Sequence, residues 1–347
     1  MSKYSSDADA GEPNPILNAI SNATAALRAD NDQLEVAKMH ESLGVKAIEK
    51  LSPAEARLQP TPTDAVMALL RQQGKSTEPQ ALVPGVTSTD STVMGAAGPL
   101  PARIYTPTGA GPFPVIVYYH GGGWVMASKE VYDGGARGLS AGANAIVISV
   151  DYRLAPEHRF PAAWDDALAA YRWALGNAAS LGGDASRIAL AGESAGGNLA
   201  VATAIAAREA GLQPPLHVLA VYPVAQTSVN TESYLENAIA KPLNRAMVEW
   251  FVKHLIRSEN DLKDTRLSLI DANLQGLPPM TIINARIDPL RSDGAKLEDA
   301  LQNAGVPVER REYEGVAHEF FGAAAVLDKA RQAQAFAGQR LMQSFAS

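Results

Sequence analysis

Gly192-Glu193-Ser194-Ala195-Gly196 decides how this chain is read. The pentapeptide closes an apolar run at 187–191 and opens a helical pattern, beginning Gly196-Gly197-Asn198-Leu199-Ala200, that continues to about 210. A strand that turns sharply into a helix around small residues is the local context of a nucleophile elbow. The small neighbours let the turn close, and its strain lifts the Ser194 hydroxyl above the sheet. The helix N-terminus turns free N–H groups toward any negative charge formed there. A Gly-rich turn of this kind also suits a phosphate cradle, but no Lys follows these glycines to supply the main cation.

Outward from that turn, short apolar runs predict strands at 102–106, 114–119, 145–150, 187–191, 217–222, 280–284 and 307–313. Several are continuous rather than alternating, which is how strands covered on both faces read. Helical spacing fills 162–180, 195–210, 292–304 and 324–345. This alternation predicts an α/β fold with a mostly parallel central sheet flanked by helices. Residues 225–268 break the pattern with a polar loop and an amphipathic helix near 244–256, and an insertion of that length at a strand end reads as a lid. Upstream, apolar residues fall at helical spacing from Ile16 to about Gln73, and Ser52-Pro53-Ala54-Glu55 reads as a capped helix start. The first fifteen residues are polar and are expected to form a loose tail.

Of 347 residues, 46% are hydrophobic and 19% charged, enough apolar material for a core and too little charge for a disordered chain. The net charge is −7 and no basic run stands out, so the electrostatic footprint of a nucleic-acid partner is missing. The absence of cysteine removes disulfides, thiolate metal sites and a thiol nucleophile, and fits a reducing compartment. No stretch approaches the roughly 18 apolar residues of a membrane span. Asp7, Asp9 and Glu12 near the start leave no apolar leader, so a cytoplasmic location is expected.

A serine nucleophile needs a base, an orienting acid and donors for the charge it creates. His120-Gly121-Gly122-Gly123-Trp124 directly follows strand 114–119, and its glycines let backbone N–H groups approach a ligand. The N–H groups of Gly121 and Gly122, with that of Ala195, are assigned to the oxyanion hole. Among six histidines, His318 lies in a loop after the last strand and can reach the carboxyl edge of the sheet. His217 begins an apolar strand, while His40 and His254 sit on helices outside the sheet. Asp288 follows strand 280–284, and the order Ser194, Asp288, His318 is that of an α/β-hydrolase triad. Asp293 is the rival acid, placed near a helix start where an Asp often merely caps. His318-Glu319 is not followed by a second His at ligand spacing, so no metal site is expected.

Together with Asp151-Tyr152-Arg153-Leu154-Ala155-Pro156-Glu157-His158, Asp288-Pro289-Leu290-Arg291 and the stretch 314–320, these motifs resemble the hormone-sensitive lipase family of α/β-hydrolases, in particular its bacterial carboxylesterases. The resemblance covers about residues 84 to 345. It implies the α/β-hydrolase fold with a helical cap and no cofactor. It also implies hydrolysis of short- to medium-chain acyl esters, small-molecule substrates, through an acyl-enzyme. The implied division is 1–80 as tail and cap helices, 81–225 as core, 226–268 as cap insertion and 269–347 as core. A homodimer is compatible with it. Trp124, Val125 and Tyr222 are candidate pocket walls and equally candidates for the core. An amidase or arylformamidase could use the same triad. A small-molecule receptor of this fold would lack the base, whereas His318 is present. Glu193 departs from the Asp or Thr common before the nucleophile and is read as structural, with tuning of His318 as its alternative role. The 151–158 segment is read as a rigid turn with ion pairs, and His120 as the side chain that holds the glycine loop.

Overall fold

The computed structural model describes residues 27–346, so the expected tail and the start of the helical region at Ile16 lie outside the described residues. In chain order these form helices α1 (Asn31–Ser42) and α2 (Pro62–Gln72), then strands β1 (Val86–Gly95), β2 (Gly98–Pro107) and β3 (Phe113–Tyr119). Helix α3 (Asp133–Ala143), β4 (Ile146–Val150), α4 (Ala162–Asn177), β5 (Gly183–Glu193), α5 (Ala195–Glu209) and β6 (Val218–Val221) follow. Helix α6 (Arg245–Leu255), β7 (Met280–Ile287), α7 (Arg291–Asn303), β8 (Val308–Ala317) and α8 (Asp328–Phe345) complete the order. Among the described residues the strands make one eight-stranded sheet, β1-β2-β4-β3-β5-β6-β7-β8. β1 and β2 run antiparallel, β2 meets β4 antiparallel, and β4 through β8 are parallel.

Every residue of β3, β4 and β6 is buried, as their uninterrupted apolar runs require. Successive side chains point to opposite faces. Val115, Val117 and Tyr119 join a core with α4, α5 and α7, while Ile116 and Tyr118 join one with α3 and α8. Two elements fall outside the predicted pattern. β1 is a polar edge strand that buries only Val86, Val93 and Gly95, so it shows no apolar period, and its ladder with β2 holds it in place. α3 carries Gly134, Gly135, Gly138 and Gly142, a composition that hides a helix. Close packing explains those glycines: a Cβ on Gly138 would strike the Gln334 side chain of α8.

Upstream of β1, the Ser52 cap holds, with Ser52 and Glu55 bonding each other's backbone N–H, and Thr61 with Asp64 repeats the device at α2. Arg57 ties this segment to the core, donating to the carbonyls of Val125 and Ala155, each at 2.8 Å, and bidentately to Glu157 at 2.8 and 2.7 Å. Trp250 of α6 donates to Leu51 O at 3.0 Å, joining the N-terminal helices to the 225–268 insertion.

Candidate active site

Parallel strands bring their carboxyl ends to one edge, and Ser194, Asp288 and His318 each follow a strand at that edge. Ser194 follows β5 directly and sits at φ 58°, ψ −118°, a backbone state rare for a residue with a Cβ. Its N–H donates to Val221 O of β6 at 2.8 Å, which pins the turn to the sheet. Gly192 and Gly196 are needed here, because a Cβ on Gly192 would strike Gly196 O and one on Gly196 would strike Tyr119 O. Asp288 follows β7 and His318 follows β8. His318 Nε2 lies 3.0 Å from Ser194 Oγ, and its Nδ1 lies 2.8 Å from Asp288 Oδ2. Leu290 N–H donates to the other Asp288 oxygen at 2.8 Å, so the carboxylate is held from both sides.

Asp293 lies apart from His318. It accepts from the N–H groups of Ala225 and Gln226 at 3.0 and 3.3 Å and from the Gln226 amide at 2.9 Å, and so fastens the start of the insertion to α7. Burial pushes its carboxyl up to about 7, against those hydrogen bonds and with help from Asp288. His120 bonds through Nδ1 to Gly121 O at 2.7 Å and stacks on Tyr152, centroids 4.4 Å apart. The 151–158 segment is held by ion pairs of Arg153 with the buried Asp166 at 2.7 Å and of Glu157 with Arg57 at 2.7 Å.

Ser194 opens on a cavity of about 1130 Å³ between α1, α2 and α6, lined also by His318, Glu319, Gly122 and Gly123. A second cavity of about 40 Å³, walled by Trp124, Val224, Tyr234 and Leu255, also reaches Ser194. Phe251 borders both, its ring lying directly on Gly123. Two expected pocket walls, Val125 and Tyr222, lie away from both cavities. Gly121 does not line the cavity, since the Tyr132 hydroxyl and Glu193 O occupy the space against its Cα, and Gly123 takes its place beside Gly122. Val125 is fully buried beneath the loop, its carbonyl taken by Arg57. Tyr222 lies under the imidazole rather than in a pocket wall, its ring centroid 4.4 Å from that of His318. Trp124, stacked on Trp164, does line the smaller cavity.

Around the imidazole stand acidic groups that the sequence did not single out for one place. Glu193 is buried, and the hydroxyls of Tyr118 and Tyr222 both donate to it through short hydrogen bonds. Burial, helped by the charge of Glu319, pushes the Glu193 carboxyl up to about 8, although the two tyrosines and His318 work against that. Glu319 accepts from the Tyr132 hydroxyl at 2.5 Å and lies 3.8 Å from His318 Nε2. Burial raises its pKa too, against His318 and Tyr132. Burial alone would lower the pKa of His318, but the charge and hydrogen bond of Asp288, helped by Glu319, outweigh it and hold the imidazole above its ordinary value. Among the described residues no three His, Cys, Asp or Glu side chains converge as a metal site, and no helix is long and apolar enough to cross a membrane.

A family model described as an alpha/beta hydrolase fold matches residues 116–322. Carboxylesterase NlhH of Mycobacterium tuberculosis is 44% identical over 239 residues, 67% of this chain and 75% of that protein. Ethyl acetate hydrolase of Pseudomonas putida is 33% identical over 305 residues, 86% of this chain and 92% of that protein. Among solved structures, the ester-hydrolase EH1AB1 from the metagenome of Lake Arreo superposes with a TM-score of 0.80 at 32% identity, covering 92% of this chain and 100% of that one.

Proposed function

This chain belongs to the hormone-sensitive-lipase-like family of α/β-hydrolases and is a carboxylic ester hydrolase, and we propose that it cleaves short- to medium-chain acyl esters through an acyl-enzyme formed on Ser194. The observation that carries this reading is the continuous chain of contacts, Ser194 Oγ to His318 Nε2 at 3.0 Å and His318 Nδ1 to Asp288 at 2.8 Å. Ser194 attacks the ester carbonyl as Nε2 takes its proton, and Asp288 keeps Nδ1 protonated and stabilises the imidazolium. The imidazolium then protonates the leaving alkoxide, and the acyl group remains on Oγ. Water attacks the acyl carbon, gives its proton to Nε2, and the returning proton frees Ser194 with release of the acid.

The oxyanion formed in each half-reaction sits against the N–H groups of Gly122, Gly123 and Ala195. Gly122 and Gly123 fit this role because both line the cavity beside Ser194, and Ala195 because it is the first residue of α5, whose N–H has no partner within the helix. The helices before residue 80 and the 226–268 insertion act as a cap, consistent with their shared lining of the cavity and the Trp250 to Leu51 bond. The small apolar cavity beside Ser194 supports a short acyl group, and a relative named for ethyl acetate supports small esters. The test is a serine-directed phosphonate probe with p-nitrophenyl esters of graded chain length. Wild type should be labelled at Ser194 and hydrolyse the acetyl and butyryl esters, while Ser194→Ala and His318→Ala should lose about 10⁴-fold or more in kcat. A Ser194→Ala protein with wild-type hydrolysis would refute the assignment.

A further inference from the structure

Glu319 follows the catalytic base in sequence, yet its backbone is left-handed at φ 69°, a conformation that favours glycine and costs a residue with a Cβ. With that backbone the side chain stands beside the imidazole. The Tyr132 hydroxyl donates to Oε1 at 2.5 Å, and nothing among the described residues donates to Oε2. The side chain lines the large cavity and keeps 21% of its surface accessible, although protein surrounds the site. Glu319 Oε1 stands 3.8 Å from His318 Nε2, too far for a direct hydrogen bond and near enough for one water to touch both groups.

We propose that Glu319 is a water-positioning residue: with His318 Nε2 it holds the hydrolytic water of the deacylation half-reaction and so favours water over alcohols as the acyl acceptor. The inference rests on the acyl-enzyme reading above. Once Ser194 Oγ carries the acyl group it no longer donates to Nε2, and that lone pair is open. Water has two hydrogens, one for Nε2 and one for the Glu319 carboxylate, and both bonds aim its oxygen lone pair at the acyl carbon. The new bond joins water oxygen to that carbon, the proton passes to Nε2, the bond from carbon to Oγ breaks, and Oγ takes the proton back from Nε2. Methanol has one hydroxyl hydrogen. When Nε2 takes it, nothing remains for Glu319, and the methyl group faces a carboxylate instead. Hydrolysis therefore gains a hydrogen bond that transfer to an alcohol lacks.

The test is product partitioning. Wild type, Glu319→Gln and Glu319→Gly are given p-nitrophenyl acetate in aqueous methanol, and the ratio of acetate to methyl acetate is measured by NMR. This ratio reads the fate of the acyl-enzyme alone and does not depend on how fast it forms. In Glu319→Gln the Tyr132 hydroxyl keeps the amide oxygen as its acceptor, so the NH₂ group faces the cavity and cannot accept from water. Glu319→Gly removes the carboxyl and suits the left-handed backbone, which keeps the measurement available if the amide disturbs packing. Both variants should lower the ratio about tenfold, the scale of one hydrogen bond to a charged group. An unchanged ratio in either folded, active variant overturns the proposal. Phosphonate labelling of wild-type Ser194 separates the two levels. A missing label means that the acyl-enzyme reading fails and takes this proposal with it, whereas a normal label with unchanged ratios refutes the role of Glu319 alone.

Discussion

Glu193→Gln tests whether the carboxyl beside Ser194 is a buried acid that the fold keeps protonated. In the folded chain its pKa stands at about 8 against an ordinary value of 4.5, chiefly because burial disfavours its charge. Below pH 4.5 both folded and unfolded chains hold the proton, and ionisation of Glu193 costs nothing. Above it the unfolded chain releases the proton while the folded chain retains it, so stability falls as pH rises and levels off only beyond the folded value. At 1.36 kcal/mol per pH unit, the penalty is about 2 kcal/mol at pH 6 and about 5 kcal/mol at pH 9, a loss of about 3 kcal/mol across that interval. Gln is close to isosteric and does not ionise. One tyrosine hydroxyl can still donate to its amide oxygen, and the other must turn to accept from its NH₂ group, which adds an offset independent of pH. Asp293, whose pKa lies near 7, contributes equally to both proteins and cancels in their difference. Urea unfolding of wild type and variant at pH 6, 7, 8 and 9 gives the slopes. Wild type should lose about 3 kcal/mol more than Glu193→Gln between the extremes. Parallel stability curves would refute the reasoning and mean that Glu193 carries its charge in the folded chain at pH 6.

Asp288→Asn should lower kcat by about 10⁴-fold with little change in thermal midpoint, because the wrong imidazole tautomer is then held at Nδ1. Asp293→Asn should lower the midpoint far more than kcat, since that carboxyl holds residues 225 and 226 and lies away from His318; differential scanning fluorimetry with a p-nitrophenyl acetate assay separates the pair. Phe251→Ala removes the ring between the two cavities and should shift preference from acetyl toward octanoyl esters, at a cost of about 3 kcal/mol in stability for a buried aromatic. An unchanged chain-length profile would mean that Phe251 does not set the acyl limit.

What the sequence exposes depends on whether a local pattern carries the information. Strands β3, β4 and β6 are legible because burial on both faces writes an uninterrupted apolar run into the chain. The Ser194 turn is legible because steric crowding by Gly196 O and Tyr119 O forces glycine at fixed offsets. β1 is not, because an edge strand facing water has no burial to record and its ladder with β2 supplies the order. The glycine loop shows the limit within a motif. Three consecutive glycines announce a close backbone approach, but which of them line the cavity depends on where Tyr132, from a distant segment, presses on Gly121. Tyr222 is hard to place from sequence for the same kind of reason: its hydroxyl serves the buried Glu193, a partner 29 positions away.

Glu319 belongs to a wider pattern in how this fold spends its backbone strain. Non-glycine residues with positive φ include Trp124, Ala127, Ser194, Tyr222 and Glu319, and each would gain roughly 1–2 kcal/mol from an ordinary conformation. Asn144 shares the left-handed region but ends α3, where Asn is tolerated as a cap. The other five gather around Ser194. Ser194, Ala127 and Glu319 line the large cavity, Trp124 lines the small one, and Tyr222 supports the imidazole from below. Simple relaxation would scatter such residues through loops and fill them with glycine. At Ser194 the strain has an evident return, since it presents Oγ to His318. Glycine at 319 would relieve strain without disturbing any hydrogen bond between Ser194, His318 and Asp288, yet the chain carries a carboxylate there and supplies Tyr132 to hold one of its oxygens. A side chain kept against the backbone preference, oriented by a buried tyrosine and left open toward the reacting groups, has the physical marks of a group that acts on what enters the cavity.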